Sequence, residues 1–195
     1  YDVPPYPCGA YGDYCSPVCG DGLLVGSEVV RSGYCDDGNP ESGDGCSKAC
    51  QVECGYKCSR GADNASACET VCGDGLRAGD EECDDGNTRD KDGCSATCTV
   101  ETGWTCSVPW CMRSGCSSTC GDGIRVGNEQ CDDGNREWYD GCSYYCREEC
   151  GFTCTGGEDG SSEDTCKGTC GDGVRSYFVE ECDDGNDQNG DGCSS

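Results

Sequence analysis

Cys72-Gly73-Asp74-Gly75-Leu76, Cys83-Asp84-Asp85-Gly86-Asn87 and Asp92-Gly93-Cys94-Ser95-Ala96-Thr97-Cys98 follow one another between positions 72 and 98. Cysteine, glycine and aspartate dominate this stretch, and it holds no apolar run that could form a core. The same phrases recur along the chain. Cys-Gly-Asp-Gly plus an aliphatic residue begins at Cys19, Cys72, Cys120 and Cys170. Cys-Asp-Asp-Gly-Asn follows at Cys35, Cys83, Cys131 and Cys182. Eleven positions after each of these stands the Cys of Asp-Gly-Cys-Ser: Cys46, Cys94, Cys142 and Cys193. Self-similarity at a fixed period marks a repeat architecture.

Working outward, the complete copies continue with Cys50, Cys98 or Cys146, then Cys58, Cys106 or Cys154, and close at Cys68, Cys116 or Cys166. The expected organisation is residues 1–18 as the tail of a preceding repeat with a Pro-rich start. Repeat one then covers 19–71, repeat two 72–119, repeat three 120–169 and a partial repeat four 170–195. Length varies where loops belong: Ser27 to Tyr34 lies in a segment longer in repeat one than in repeat two, and 59–67 and 155–165 are rich in Gly, Ser and Asp.

Composition sets the means of stabilisation. The chain has 195 residues, 26 of them Cys and none His. This Cys density points to disulfides and an oxidising compartment. Structural zinc sites usually recruit His or paired C-x2-C knuckles, and neither occurs here. A repeat of about fifty residues lies close to the size below which disulfides, metals or association are needed to fold. No helical periodicity is sustained over three turns. The expected fold is therefore small disulfide-rich tandem repeats with little regular secondary structure, short β-hairpins and an elongated rod-like array. Two recurring slots offer local packing: Leu23, Leu76, Ile124 and Val174 after Gly-Asp-Gly, and the aromatics Tyr56, Trp104 and Phe152 after Gly.

Asp and Glu number 39 against 13 Lys and Arg, a net charge of −26. Such a surface repels nucleic acid and anionic lipid. No apolar stretch approaches the ~20 residues needed to span a bilayer as a helix. The chain begins at Tyr1 without a signal pattern and stops inside a repeat, which suggests a piece of a longer polypeptide.

Cysteine parity adds a constraint. Each complete repeat holds seven Cys, an odd number, so identical bonding within every repeat is impossible. Six positions recur; the seventh is Cys54 in repeat one and Cys150 in repeat three, while repeat two has Thr102 there and Cys111 elsewhere. An inter-repeat Cys54–Cys111 bridge is expected, with Cys150 bonded outside these residues or to another chain. Free thiols are the alternative.

Each copy also repeats one acidic set: Asp21, Asp36, Asp37, Asn39 and Asp44; Asp74, Asp84, Asp85, Asn87 and Asp92; Asp122, Asp132, Asp133, Asn135 and Asp140; and Asp172, Asp183, Asp184, Asn186 and Asp191. Closely spaced hard oxygens on Gly-punctuated turns suit Ca2+, which takes six to eight oxygen ligands. Residues 187–192 match the first half of an EF-hand loop but lack its distal Glu and flanking helices. The same residues are also turn formers, Asp and Asn bonding local amides and Gly supplying positive φ. Both readings stand on the sequence.

Catalysis finds little support. There is no His to serve as a base near neutral pH, and no nucleophile or phosphate-loop motif. Carboxylate pairs recur in every repeat, whereas a glycosidase pair belongs once, in a cleft. Asn64-Ala65-Ser66 is an N-glycosylation sequon in an expected loop.

In its order of Cys-Gly-Asp-Gly, Glu-x-Cys-Asp-Asp-Gly-Asn, Asp-Gly-Cys-Ser-x-x-Cys and Glu-x-Gly-Trp-x-Cys, the chain resembles the myxobacterial-type cysteine-rich disulfide repeat. Repeat two carries the pattern most fully, through Glu101, Gly103, Trp104 and Cys106. Repeat one departs at Gly33, where the pattern has Glu. The repeats are distantly similar to Notch-type calcium-binding repeats. These resemblances imply a large surface or secreted protein with no enzymatic activity of its own. The expectation is a non-enzymatic extracellular or cell-surface protein that builds an appendage, filament or coat by self-association or with other structural proteins and glycans. The alternative is an adhesive or substrate-recognition module of a larger secreted protein such as a protease.

Overall fold

The computed structural model describes residues 6–7, 14–15, 18–24, 33–61, 64–157, 162–177 and 179–193. Among them there is no helix, and regular structure is limited to four two-stranded antiparallel sheets. β1 (Tyr6–Pro7) pairs with β2 (Tyr14–Cys15). β3 (Tyr56–Arg60) pairs with β4 (Ser66–Thr70), β5 (Trp104–Cys106) with β6 (Cys116–Ser118), and β7 (Phe152–Gly156) with β8 (Asp164–Gly168). The expected disulfide-rich, hairpin-based fold is what the chain adopts. Two compact bodies form: one of Tyr1–Thr88, Ala96–Thr99 and Val108–Ser114, the other of Arg89–Ser95, Val100–Ser107 and Gly115–Ser195.

Disulfides take the place of a hydrophobic core. In repeat one Cys19 bonds Cys50, Cys35 bonds Cys46 and Cys58 bonds Cys68. Repeat three has the same scheme, Cys120–Cys146, Cys131–Cys142 and Cys154–Cys166. Repeat two has Cys72–Cys98 and Cys106–Cys116, and its Cys83 and Cys94 are disulfide-bonded as well. Repeat four has Cys182–Cys193. Among the described residues the buried apolar side chains are these cysteines and Ala78. Each bridge contributes on the order of 3 kcal/mol by restricting the unfolded chain.

The hairpins lock onto the preceding loops. Cys58 and Cys68 face each other across β3 and β4, with Cα atoms 4.0 Å apart, and Cys106–Cys116 and Cys154–Cys166 repeat the arrangement. Gly45, Gly93 and Gly141, just before the third Cys, lie against this bridge at φ of 115°, 114° and 118°. A Cβ there would collide with the Cβ of Cys68, Cys116 or Cys166. Glycine is required by both conformation and space.

The aromatic slot has two neighbours. Tyr56 packs over Gly45 and reaches Gly79 at the start of repeat two; Trp104 packs over Gly93 and reaches Gly127. Gly55 and Gly103 abut Ala78 and Val126 of the next repeat, and the Val71 and Thr119 amides donate to the Gly55 and Gly103 carbonyls at 3.2 and 2.9 Å. Each hairpin thereby touches its own loop on one side and the next repeat on the other.

Candidate functional site

The most repeated feature among the described residues is a carboxylate held by three glycine amides, buried in three of its four copies. Asp84 is wholly buried, and its Oδ1 accepts the amides of Gly75 and Gly86 while Oδ2 accepts that of Gly73, all at 2.8 Å. Asp36 takes the amides of Gly20, Gly22 and Gly38 at 3.1, 2.8 and 3.0 Å. Asp132 takes those of Gly121, Gly123 and Gly134 at 2.8, 2.8 and 3.0 Å. Asp183 takes those of Gly171, Gly173 and Gly185 at 2.7, 2.8 and 2.7 Å. In all four copies the first Asp of Cys-Asp-Asp-Gly-Asn thus ties its own turn to the Cys-Gly-Asp-Gly turn. The positive φ of these glycines aims the N–H groups inward, forming an anion nest. Such bonds hold a carboxyl below its ordinary pKa, and at Asp183 this is the direction, led by the Gly185 amide.

The backbone of the same Asp clasps the hairpin. Ser66 N–H donates to the Asp36 carbonyl at 2.6 Å, and Asp36 N–H donates to Ser66 Oγ at 3.0 Å. Ser114 does the same for Asp84, and Asp164 for Asp132, there through a carboxylate oxygen at 2.8 Å.

The remaining acidic positions divide between turns and caps. Asp21, Asp74, Asp122 and Asp172 each accept the amide two residues on, at 2.9, 2.8, 3.0 and 2.7 Å. Asp37, Asp85 and Asp133 accept the amides of Asn39, Asn87 and Asn135 in the same way, while Asp184 accepts from the Asn186 side chain. Asn39, Asn135 and Asn186 accept from Glu41, Glu137 and Gln188. Three glutamates close the Asp-Gly-Cys loop, a role that the pattern around Glu101 did not by itself disclose. Glu53 takes the Gly43 and Gly45 amides, Glu101 those of Lys91, Asp92 and Gly93, and Glu149 those of Tyr139 and Gly141. Their fixed place ahead of the Gly-aromatic pair was the available signal.

A single cage of five oxygens per repeat is not what these residues make. At Asp36, Asp84, Asp132 and Asp183 the N–H groups turn the positive ends of their dipoles toward the place a cation would take. Those carboxylates are spent on the backbone. Two acidic groups do meet on the outer side. Asn39 Nδ2 donates to exposed Asp44 at 2.9 Å, and burial followed by the nearby Asp44 charge pushes Asp37 up in pKa against the pull of the Asn39 amide. Burial, then Asp140, pushes Asp133 up likewise. Asp92 and Asp191 occupy the corresponding place in repeats two and four. Groupings of Cys98 with Glu81 and Asp84, and of Cys120 and Cys146 with Asp132, offer no thiolate, because these cysteines are disulfide-bonded.

Cys54 and Cys111 are joined in a disulfide that links repeat one to repeat two. Beside it the Cys111 N–H donates to the Arg77 carbonyl at 2.9 Å, and the Arg77 N–H to the Met112 carbonyl at 3.4 Å. Cys150 is an exposed free thiol. The Cys170 thiol is pushed up in pKa, first by desolvation and then by the carboxylates of Asp183 and Asp187. Asn64 is exposed at the hairpin tip with φ of 75°, while the sequon's Ser66 is buried with its hydroxyl turned to Asp36.

Short hairpins, repeated turns and intra-repeat bridges, with no helix among the described residues, define a disulfide-stapled tandem-repeat protein. The chain belongs to the family described as a domain of unknown function, DUF4215, which matches residues 4–51, 53–99, 101–147 and 151–195. The matched copies open at or near a hairpin, and the first three close just after the fourth Cys of a repeat, a frame out of phase with one that opens at Cys-Gly-Asp-Gly. No curated protein and no solved structure matches. No helix among the described residues is long and apolar enough to cross a membrane. The many disulfides are compatible with an extracellular setting.

Proposed function

We propose that this chain is a non-enzymatic structural protein of the extracellular space or cell surface, a building block of an appendage, filament or coat. The observation that carries the reading is the covalent junction between consecutive repeats, Cys54–Cys111, beside the Gly55–Ala78 contact. A chain bonded through its repeats transmits load without relying on a core, and repeated faces favour repeated contacts. The resemblance to myxobacterial-type disulfide repeats in large surface proteins supports the same reading. So does the binding of the first Asp of every Cys-Asp-Asp-Gly-Asn to three glycine amides, which commits those carboxylates to the scaffold. An elongated, rod-like array is part of this proposal. Negative-stain imaging of the purified protein tests it: ordered polymers are expected, and uniformly monomeric particles at all concentrations count against it.

A role for Ca2+ narrows to the outer pairs Asp37–Asp44 and Asp133–Asp140, where a divalent ion would relieve like-charge repulsion. Added Ca2+ should raise the melting temperature and a chelator reverse the rise; no shift at millimolar Ca2+ removes the ion from the account.

The second reading, an adhesive or substrate-recognition module of a larger secreted protein, is favoured by an exposed aromatic cluster in repeat three. Tyr145 stands edge-on to both Trp138 and Tyr144, at 6.2 and 5.1 Å between ring centres. Exposed rings of this kind stack on glycans or on peptide side chains. Soluble monomers that bind immobilised glycans through Trp138 would favour this reading over the first.

A further inference from the structure

Cys150 stands at the position that Cys54 holds in repeat one, each followed by Gly and an aromatic residue. At Cys54 the structure shows what such a position receives. The loop Val108–Ser114 lies alongside, bonded through Cys111 and bracketed by two main-chain hydrogen bonds to Arg77. The counterpart of Arg77 beyond Cys150 is Arg175, in Gly173-Val174-Arg175 against Gly75-Leu76-Arg77. Arg175 uses its guanidinium on the Glu180 carbonyl and the Tyr177 ring; among the described residues its main-chain N–H and C=O bond nothing.

The surroundings of the two cysteines differ in one respect. Where repeat one has Ser42, Gly43 and Ala49, and repeat two Gly79, the later copies have Trp138, Tyr139, Tyr145 and Tyr177. With Phe152 and Val174 these side chains line a groove of about 570 Å³ that includes Cys150. Tyr139, Tyr145 and Tyr177 are 61–71% exposed, a large apolar surface to leave in water.

We propose that this groove is a covalent docking seat for the cysteine-bearing hairpin loop of a partner repeat of the same kind, from outside residues 1–195. The one loop cysteine of this type within the chain, Cys111, is already bonded to Cys54. The incoming loop lies as Val108–Ser114 does, its main chain pairing with Arg175 and its apolar side chains meeting the aromatic walls. The thiols of Cys150 and of the partner become one disulfide, while a small-molecule disulfide such as oxidised glutathione is reduced to two thiols that carry away the two protons. The proposal deepens the assembly reading by naming one junction, and rests on it for the source of the partner.

The test uses the full 195-residue chain and a synthetic peptide, Val-Pro-Trp-Cys-Met-Arg-Ser, with its cysteine held as a mixed disulfide with thionitrobenzoate. The Cys150 thiolate attacks the peptide sulfur and thionitrobenzoate leaves, so its release reports the rate. A control peptide keeps Cys and Arg but replaces Val, Pro, Trp and Met by Gly and Ser. Capture of the first peptide at Cys150 should be about tenfold faster than capture of the control, the factor expected for one good aromatic contact. Tyr177→Ala should bring the two rates together, and Cys150→Ser should abolish the adduct in a peptide map. Equal rates for both peptides in the unmodified chain, or adducts falling on Cys170 instead, overturn the proposal. That failure would leave polymers seen by negative stain untouched, and absence of polymers would leave selective capture standing.

Discussion

Ser114 and Asp84 bond each other twice: the Ser114 N–H donates to the Asp84 carbonyl at 2.6 Å, and the Asp84 N–H donates to Ser114 Oγ at 3.1 Å. Both residues are buried, Ser114 at 3% exposure and Asp84 at 0%. The clasp holds the segment 108–114, which carries Cys111, to the turn that carries the buried carboxylate. Ser114→Ala leaves the Asp84 amide without an acceptor and should cost on the order of 1–3 kcal/mol. Ser114→Thr, which keeps the hydroxyl, should cost less. Denaturant unfolding of the oxidised protein measures both.

Asp84 itself carries more. Asp84→Ala strands three glycine amides, and its cost should exceed that of Ser114→Ala, reaching on the order of 3 kcal/mol or more. Hydrogen exchange supplies the local check. Gly73, Gly75 and Gly86 should lose protection, while Gly121, Gly123 and Gly134 in repeat three keep theirs.

Gly93 and Gly43 separate steric need from conformational need. Both have positive φ, 114° and 100°, but only Gly93 has a neighbour in the way, the Cys106–Cys116 bridge. Gly43→Ala should cost about 1 kcal/mol, the strain of a left-handed residue. Gly93→Ala should cost well over twice as much and lower the yield of correctly bridged protein in oxidative refolding.

Lys91 occupies the place of Gly43 at φ of 76°, and Tyr139 the same place in repeat three at 74°. A side chain there carries strain that glycine relieves, partly offset by glycine's greater freedom in the unfolded chain. Lys91→Gly should therefore stabilise, by roughly 0.5 kcal/mol. A lowered melting temperature would show that the Lys91 side chain makes a stabilising contact.

Asp133 gives a pH dependence of definite sign. Its folded pKa is raised, first by burial and then by Asp140, so the folded state holds this proton to higher pH than the unfolded state. Stability from this group is present at low pH and falls as pH climbs through the ordinary Asp range to the raised value. Asp133→Asn keeps an Oδ1 for the Asn135 amide and removes the ionisation. The variant should lose less stability than the parent between pH 3 and 7, as measured by denaturant midpoints.

The repeat was legible because its Cys spacing recurs, whereas the pairing inside each repeat, Cys19–Cys50, Cys35–Cys46 and Cys58–Cys68 in the first, was not, because spacing alone does not choose among the possible connectivities. Parity alone separated Cys54, Cys111 and Cys150 from the six regular positions, and two of the three now stand bonded to each other. The use of the carboxylates was not legible. Asp84 and Asp85 are adjacent and chemically identical, yet one is wholly buried under three amides and the other caps its own turn. Only the curl of the glycine turns, which bring Gly73 and Gly75 to Asp84, distinguishes them. Glu101 was visible as part of the Glu-x-Gly-Trp-x-Cys pattern, but the loop-closing role it shares with Glu53 and Glu149 was not, because a single acid ahead of a Gly-aromatic pair resembles any surface residue until the loop above it is seen.

Amide hydrogen exchange, read by NMR on the oxidised and the fully reduced protein, tests the central claim most directly. In the oxidised chain the amides of Gly73, Gly75, Gly121 and Gly123 should exchange slowly, and all four should become unprotected together once the bridges are reduced. Fast exchange at these glycines before reduction, or protection that survives it, would contradict a fold held by sulfur bridges and carboxylate-bound turns.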